Sequence, residues 1–87
     1  MGIRGRGAVE TIITTRLADL KAGNRLMAFD GTPYRKPLVV QSALGPIEQG
    51  SPVYGVRITP PEGSEIDWVF YPSQMDGYEM TVERLSN

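Results

Sequence analysis

Hydrophobic and polar residues alternate over several short stretches of this chain, most cleanly near its end. Tyr78, Met80 and Val82 fall on one side of an extended segment, and Glu79, Thr81 and Glu83 on the other. That period of two is the mark of a half-buried strand. Ile66 to Tyr71 alternates in the same way, grouping Ile66, Trp68 and Phe70, and this spacing places Trp68 in the core. Val53 to Thr59 sets Tyr54, Val56 and Ile58 against Arg57 and Thr59. Shorter apolar runs, Arg25–Phe29 and Leu38–Ser42, read as further strands. Val9 to Leu17 is dense in β-branched residues, which lose rotamer freedom in a helix and pack well on a pleated surface. Val9, Ile12, Ile13, Leu17 and Leu20 also share one face at helical spacing, so a helix over about residues 9–21 is the alternative. The Thr-Ile-Ile-Thr-Thr composition favours the strand.

Turn chemistry separates these segments. Lys21-Ala22-Gly23-Asn24 is a polar corner, Asp30-Gly31 a strong turn dipeptide, and Pro60 to Gly63 and Pro72 to Gly77 further breaks. Ala43 to Pro52, with two glycines and two prolines, reads as a long loop. Five or six short strands without a strong helix predict an all-β, single-domain antiparallel barrel or roll over residues 8–87. A flexible basic arm at residues 1–7 precedes it, and the alternative is an α+β fold with the N-terminal helix.

The stretch Leu17-Ala18-Asp19-Leu20-Lys21-Ala22-Gly23-Asn24-Arg25-Leu26 resembles the D-L-x-x-G-D-x-(apolar) entry of small SH3-like β-barrels from bacteria and their phages. Asn24 stands where that pattern has Asp, which keeps the turn chemistry. The resemblance covers about ten residues. It implies a barrel that serves as a binding module or structural adaptor, with the polar knot as a corner of the chain. Phe70 to Met75 is similar to the Pro-Ser-Asn-Tyr segment of signalling SH3 domains. The Ala-Leu-Tyr-Asp-Tyr entry and paired tryptophans of those domains are missing here, and that match is set aside as coincidence.

Composition narrows the chemistry more than the fold. The chain has no histidine and no cysteine. The commonest general base, the thiol nucleophile, a Ser-His-Asp triad and nearly all zinc or copper sites are therefore excluded. Glu62, Glu65 and Asp67 lie close together but match no calcium-loop spacing, and a solvated loop edge accounts for them. No phosphate-binding glycine motif occurs. The expectation is a protein that is not an enzyme and has no cofactor and no metal. No apolar run approaches a membrane span and no signal peptide is legible, so the expected location is the cytoplasm.

Net charge is −1, but its distribution is uneven: residues 1–44 hold seven basic and three acidic side chains, and residues 45–87 two basic and seven acidic. Interleaved strands would mix these charges on the folded surface. Two candidate binding sets remain. Tyr34, Pro37, Tyr71, Pro72 and Tyr78 form an aromatic and proline-rimmed set suited to a protein partner. Arg4, Arg6, Arg25, Arg35 and Lys36 form a basic set suited to an anion, with Tyr34 available to stack on a base. The leading expectation is a protein-binding module, an accessory protein of a phage or bacterium that docks on another protein. The alternatives are a nucleic-acid-binding barrel and a structural subunit of a homo-oligomeric assembly such as a phage particle.

Overall fold

A computed structural model describes residues 8–59 and 66–86. It is all-β, with seven strands in two antiparallel sheets. The strands are β1 (Ala8–Thr14), β2 (Arg25–Phe29), β3 (Thr32–Val39), β4 (Gly45–Pro46), β5 (Tyr54–Ile58), β6 (Trp68–Phe70) and β7 (Met80–Ser86). The first sheet runs β1-β7-β2-β3 and the second β4-β5-β6. The β-branched N-terminal segment is a strand, and the helical alternative over residues 9–21 does not form. The chain after β1 makes only a 3-10 turn, Leu17–Asp19, which buries Leu17. The short helix α1 (Pro72–Met75) begins on a proline, the residue type suited to a helix start.

The two sheets do not close into a barrel, but they are joined. Val40, just past β3, bridges to Ile58 of β5. The Gln41 N–H donates to the Arg57 carbonyl, and the Thr59 N–H to the Val39 carbonyl, each at 2.8 Å. The chain is thereby paired at the point where it passes from one sheet to the other. Between the sheets lies the core. Leu26, Leu38, Met80 and Val82 come from the first sheet and Val56 and Ile58 from the second. Val40 sits at the junction, while Leu17, Leu20 and Met75 close the ends.

Local chemistry explains the joints. Asp30 and Gly31 have φ of 50° and 85°, so both central residues of the β2–β3 turn are left-handed. That is the type I′ geometry that matches strand twist and favours Asp-Gly. At the Lys21–Asn24 corner the Lys21 N–H donates to the Asn24 Oδ1 at 2.9 Å. Gly23, at φ 92°, donates its N–H to the Val40 carbonyl. The corner turns the chain and pins it to the junction of the sheets. At the opposite end of the core the Leu17 N–H donates to the Asp76 Oδ1 at 2.7 Å, tying the 3-10 turn to the end of α1.

β3 departs from the sequence reading. It starts at Thr32, immediately after the turn, and contains Pro33 and Pro37. Leu26 pairs with Leu38 and Ala28 with Pro33. Met27 alone on β2 therefore faces Tyr34, Arg35, Lys36 and Pro37 on β3, a wide bulge. β3 is the edge of its sheet, where missing proline donors are tolerated. Trp68, expected in the core, is 39% exposed instead. Its strand is only three residues long and lies at the edge of the second sheet, so one flank of the indole has no neighbouring strand.

Candidate docking surface

The first sheet has two unlike faces. Met80 and Val82 of β7, Ile12 and Thr14 of β1, and Leu26 of β2 turn toward the core. Because side chains alternate along a strand, the residues between them form the outer face. Continuous antiparallel register sets Val9 opposite Leu85, Thr11 opposite Glu83, and Ile13 opposite Thr81. Across β2 the middle row continues through Arg25 to Val39, and the third through Ala28 to Pro33.

This outer face has a definite chemical layout. Its middle row carries an ion pair, Arg25 Nη1 to Glu83 Oε1 at 3.8 Å. Apolar side chains flank it: Val9 and Leu85 on one side, Ile13 with Ala28 and Pro33 on the other, and Val39 at the end of the row. Val9 is 59% exposed, Ile13 65% and Leu85 67%. A hollow of about 220 Å³ is lined by Val9, Gly23, Arg25, Glu83, Arg84 and Leu85. Around the strand end lies a larger open cleft of about 430 Å³, lined by Glu10, Lys21, Ala22, Gly23, Asn24, Arg84 and Leu85. Two of its charges pair with each other, since the Arg84 Nε donates to the Glu10 Oε1 at 2.9 Å. The polar knot is thus a corner that also borders both depressions.

The aromatic set is dispersed in its environments. Tyr34, half-buried on the bulge, packs against the core. Pro37 closes the same bulge, and Tyr71 and Pro72 are half-buried at the start of α1. Tyr78 is exposed, with its ring tilted on Phe29 at a centroid distance of 5.2 Å. Among the described residues the ring pairs are Phe29–Tyr78 and Trp68–Phe70. Neither Tyr34 nor Tyr71 belongs to one. Of the basic set, Arg35 and Lys36 are exposed on the bulge, and Arg25 is engaged with Glu83. Arg4 and Arg6, with the whole arm 1–7, lie outside the described residues, as do Glu62 and Glu65. Among the described residues no group of three or more acidic side chains is placed to hold a metal ion. No helix there is long and apolar enough to cross a membrane.

Burial pushes the Tyr34 hydroxyl pKa above its ordinary value of 10.0, because desolvation disfavours the phenolate. A group whose folded pKa is raised adds stability that is complete below its unfolded pKa and is lost as pH rises through the folded one. Wild type should therefore lose stability relative to Y34F as pH rises above about 10, the ordinary phenol value, while the two differ little in that slope near neutrality. Urea midpoints across that range test this. A difference between the two proteins that stays constant from neutral to alkaline pH would contradict it.

No protein-family model matches the chain, and no curated protein or solved structure shows significant similarity to it. Function must accordingly be argued from the surface itself. The outer apolar face was missed in the sequence because its members come from both ends of the chain. The one available signal was that Val9, Thr11 and Ile13 are apolar or β-branched on the side of β1 opposite Ile12.

Proposed function

We propose that the protein is a non-enzymatic docking module that binds another protein through the outer face of its four-stranded sheet. The observation that carries this reading is the gathering of Val9, Ile13, Val39 and Leu85 on a face that a folded monomer leaves in water. Single exposed apolar residues are ordinary, whereas several gathered on one face mark an interaction surface. The Arg25–Glu83 pair in the middle row of that face would set orientation more than affinity.

Affinity capture from a lysate of the source cell tests the reading with three proteins: wild type, V39E/L85E and Y71A/Y78A. Replacements at exposed positions such as Val39 and Leu85 change stability by only about 0.5 kcal/mol each, so V39E/L85E should stay folded. A protein held by wild type and by Y71A/Y78A but lost from V39E/L85E is the expected result. Capture unaffected by V39E/L85E, or retention of nucleic acid in place of protein, would overturn it.

A further inference from the structure

β1 is an edge strand, and its free edge is built differently from the opposite one. At β3 the edge carries Pro33, Pro37, a wide bulge and the exposed charges of Arg35 and Lys36. Those are the devices by which proteins keep other strands from adding to a sheet. β1 has no proline and no bulge, and its one charge, Glu10, is paired with Arg84. Its seven residues, Ala-Val-Glu-Thr-Ile-Ile-Thr, run in unbroken register with β7 from Ala8 opposite Ser86 to Thr14 opposite Met80. Among the described residues no strand lies beyond β1. Half of its backbone N–H and C=O groups therefore point away from the sheet.

We propose that this edge pairs with β1 of a second copy of the chain, antiparallel and about a two-fold axis through Thr11. The strand is complementary to itself in that register. All seven residues overlap, Thr11 faces Thr11 of the second copy, and Val9 faces Ile13. Both are cross-strand pairs of the β-branched type that stabilises sheets. The single charge in the strand, Glu10, falls opposite Ile12 and not opposite its own copy. Its carboxylate is already held by Arg84 at 2.9 Å, so the two-fold introduces no unpaired like charge. Because the axis is perpendicular to the sheet, inner and outer faces are preserved across it. The result is one eight-stranded sheet, and Val9, Ile13 and Leu85 of both copies form a single outer apolar stripe. A closed isologous pair of this kind also removes the β1 edge from both copies, where a single added peptide strand would present a new free edge of its own.

The test uses the full chain alone, with no docking partner, so its failure leaves the docking reading standing and that reading's failure leaves this one standing. Sedimentation over a concentration series into the high micromolar range should show wild type at twice the 9.6 kDa chain mass. V9K/I13K places like charges opposite each other twice across the axis and should be monomeric. V9K/I13E places opposite charges there and should recover the dimer, with an affinity that falls as salt is added. The chain has no cysteine, so T11C provides a second readout that does not depend on those variants folding. On mild oxidation it should form a disulfide-linked dimer, because directly opposed residues bring their Cα atoms within about 4.5–5.5 Å. T32C, on the other edge strand, should stay monomeric. Wild type that remains monomeric throughout the series, T11C that links no faster than T32C, or V9K/I13K that dimerises like wild type would each overturn the proposal.

Discussion

Leu26→Ala should remove about 3–5 kcal/mol of stability, the largest effect expected from any single truncation in this chain. Leu26 is fully buried at the centre of the four-stranded sheet, with Val82 of β7 beside it on one side and Leu38 of β3 on the other. Both neighbours sit on strands hydrogen-bonded to β2 and cannot move in to fill the space, so the cost of the cavity adds to the lost transfer energy. A domain of this size has only about 5–15 kcal/mol in total. Each kcal/mol lowers its melting temperature by roughly 4–8 °C, so the variant should melt at least about 12 °C below wild type or show no cooperative transition. Leu85→Ala, on the outer face of the neighbouring strand, should change it by only a few degrees. A Leu26→Ala protein that melts within a few degrees of wild type would mean that the core is not where the two sheets place it.

Gly55→Ala is the second large effect, and it acts by crowding. A Cβ on Gly55 would lie 2.7 Å from the Val69 Cγ1, 3.1 Å from the Ile47 Cγ2 and 3.1 Å from the Phe70 carbonyl oxygen. The first of these must yield, yet Val69 is stiff about χ1, and the carbonyl belongs to the backbone of the paired strand β6. Overpacking of this kind costs about 1–3 kcal/mol. The positive-φ glycines behave differently: Gly23, Gly31, Gly50 and Gly77 have nothing within 4 Å of a built Cβ, so substitution there meets backbone strain alone. A double-mutant cycle separates the causes. Val69→Ala removes the clashing methyl, so the double variant should be more stable than the sum of the two single effects allows. Strict additivity would contradict the steric account.

These expectations also mark which parts of the fold could be read from the chain. β1 and β7 were legible because each joins β-branched or alternating residues without interruption, and Asp30-Gly31 because only one turn type suits both residues. β3 was not legible over its first half: Pro33 and Pro37 argue against a strand, and only its edge position and bulge make them acceptable. Trp68 alternates correctly with Phe70, but alternation cannot reveal that β6 is short and marginal in its sheet. The all-β reading held, whereas the closed barrel did not form, since closure depends on register between strands far apart in sequence. The docking face is hidden for the same reason. Val9 and Leu85 meet across a pairing that joins the two ends of the chain, and periodicity within either strand says nothing of the other. Tyr34 shows the converse: a residue suited by type to a rim, carried by a bulge back onto the core.

The central claim is that a protein partner docks on the outer face of the four-stranded sheet, and site-specific photo-crosslinking tests it most directly. A photoreactive residue is placed in turn at Leu85 on that face, at Tyr71 beside α1, and at Arg35 on the basic bulge, and each protein is irradiated in lysate. The account expects one protein adduct from position 85 and none of comparable yield from positions 71 or 35. Adducts from position 71 or 35 with none from position 85 would contradict it and move the binding surface to the aromatic set or to the bulge.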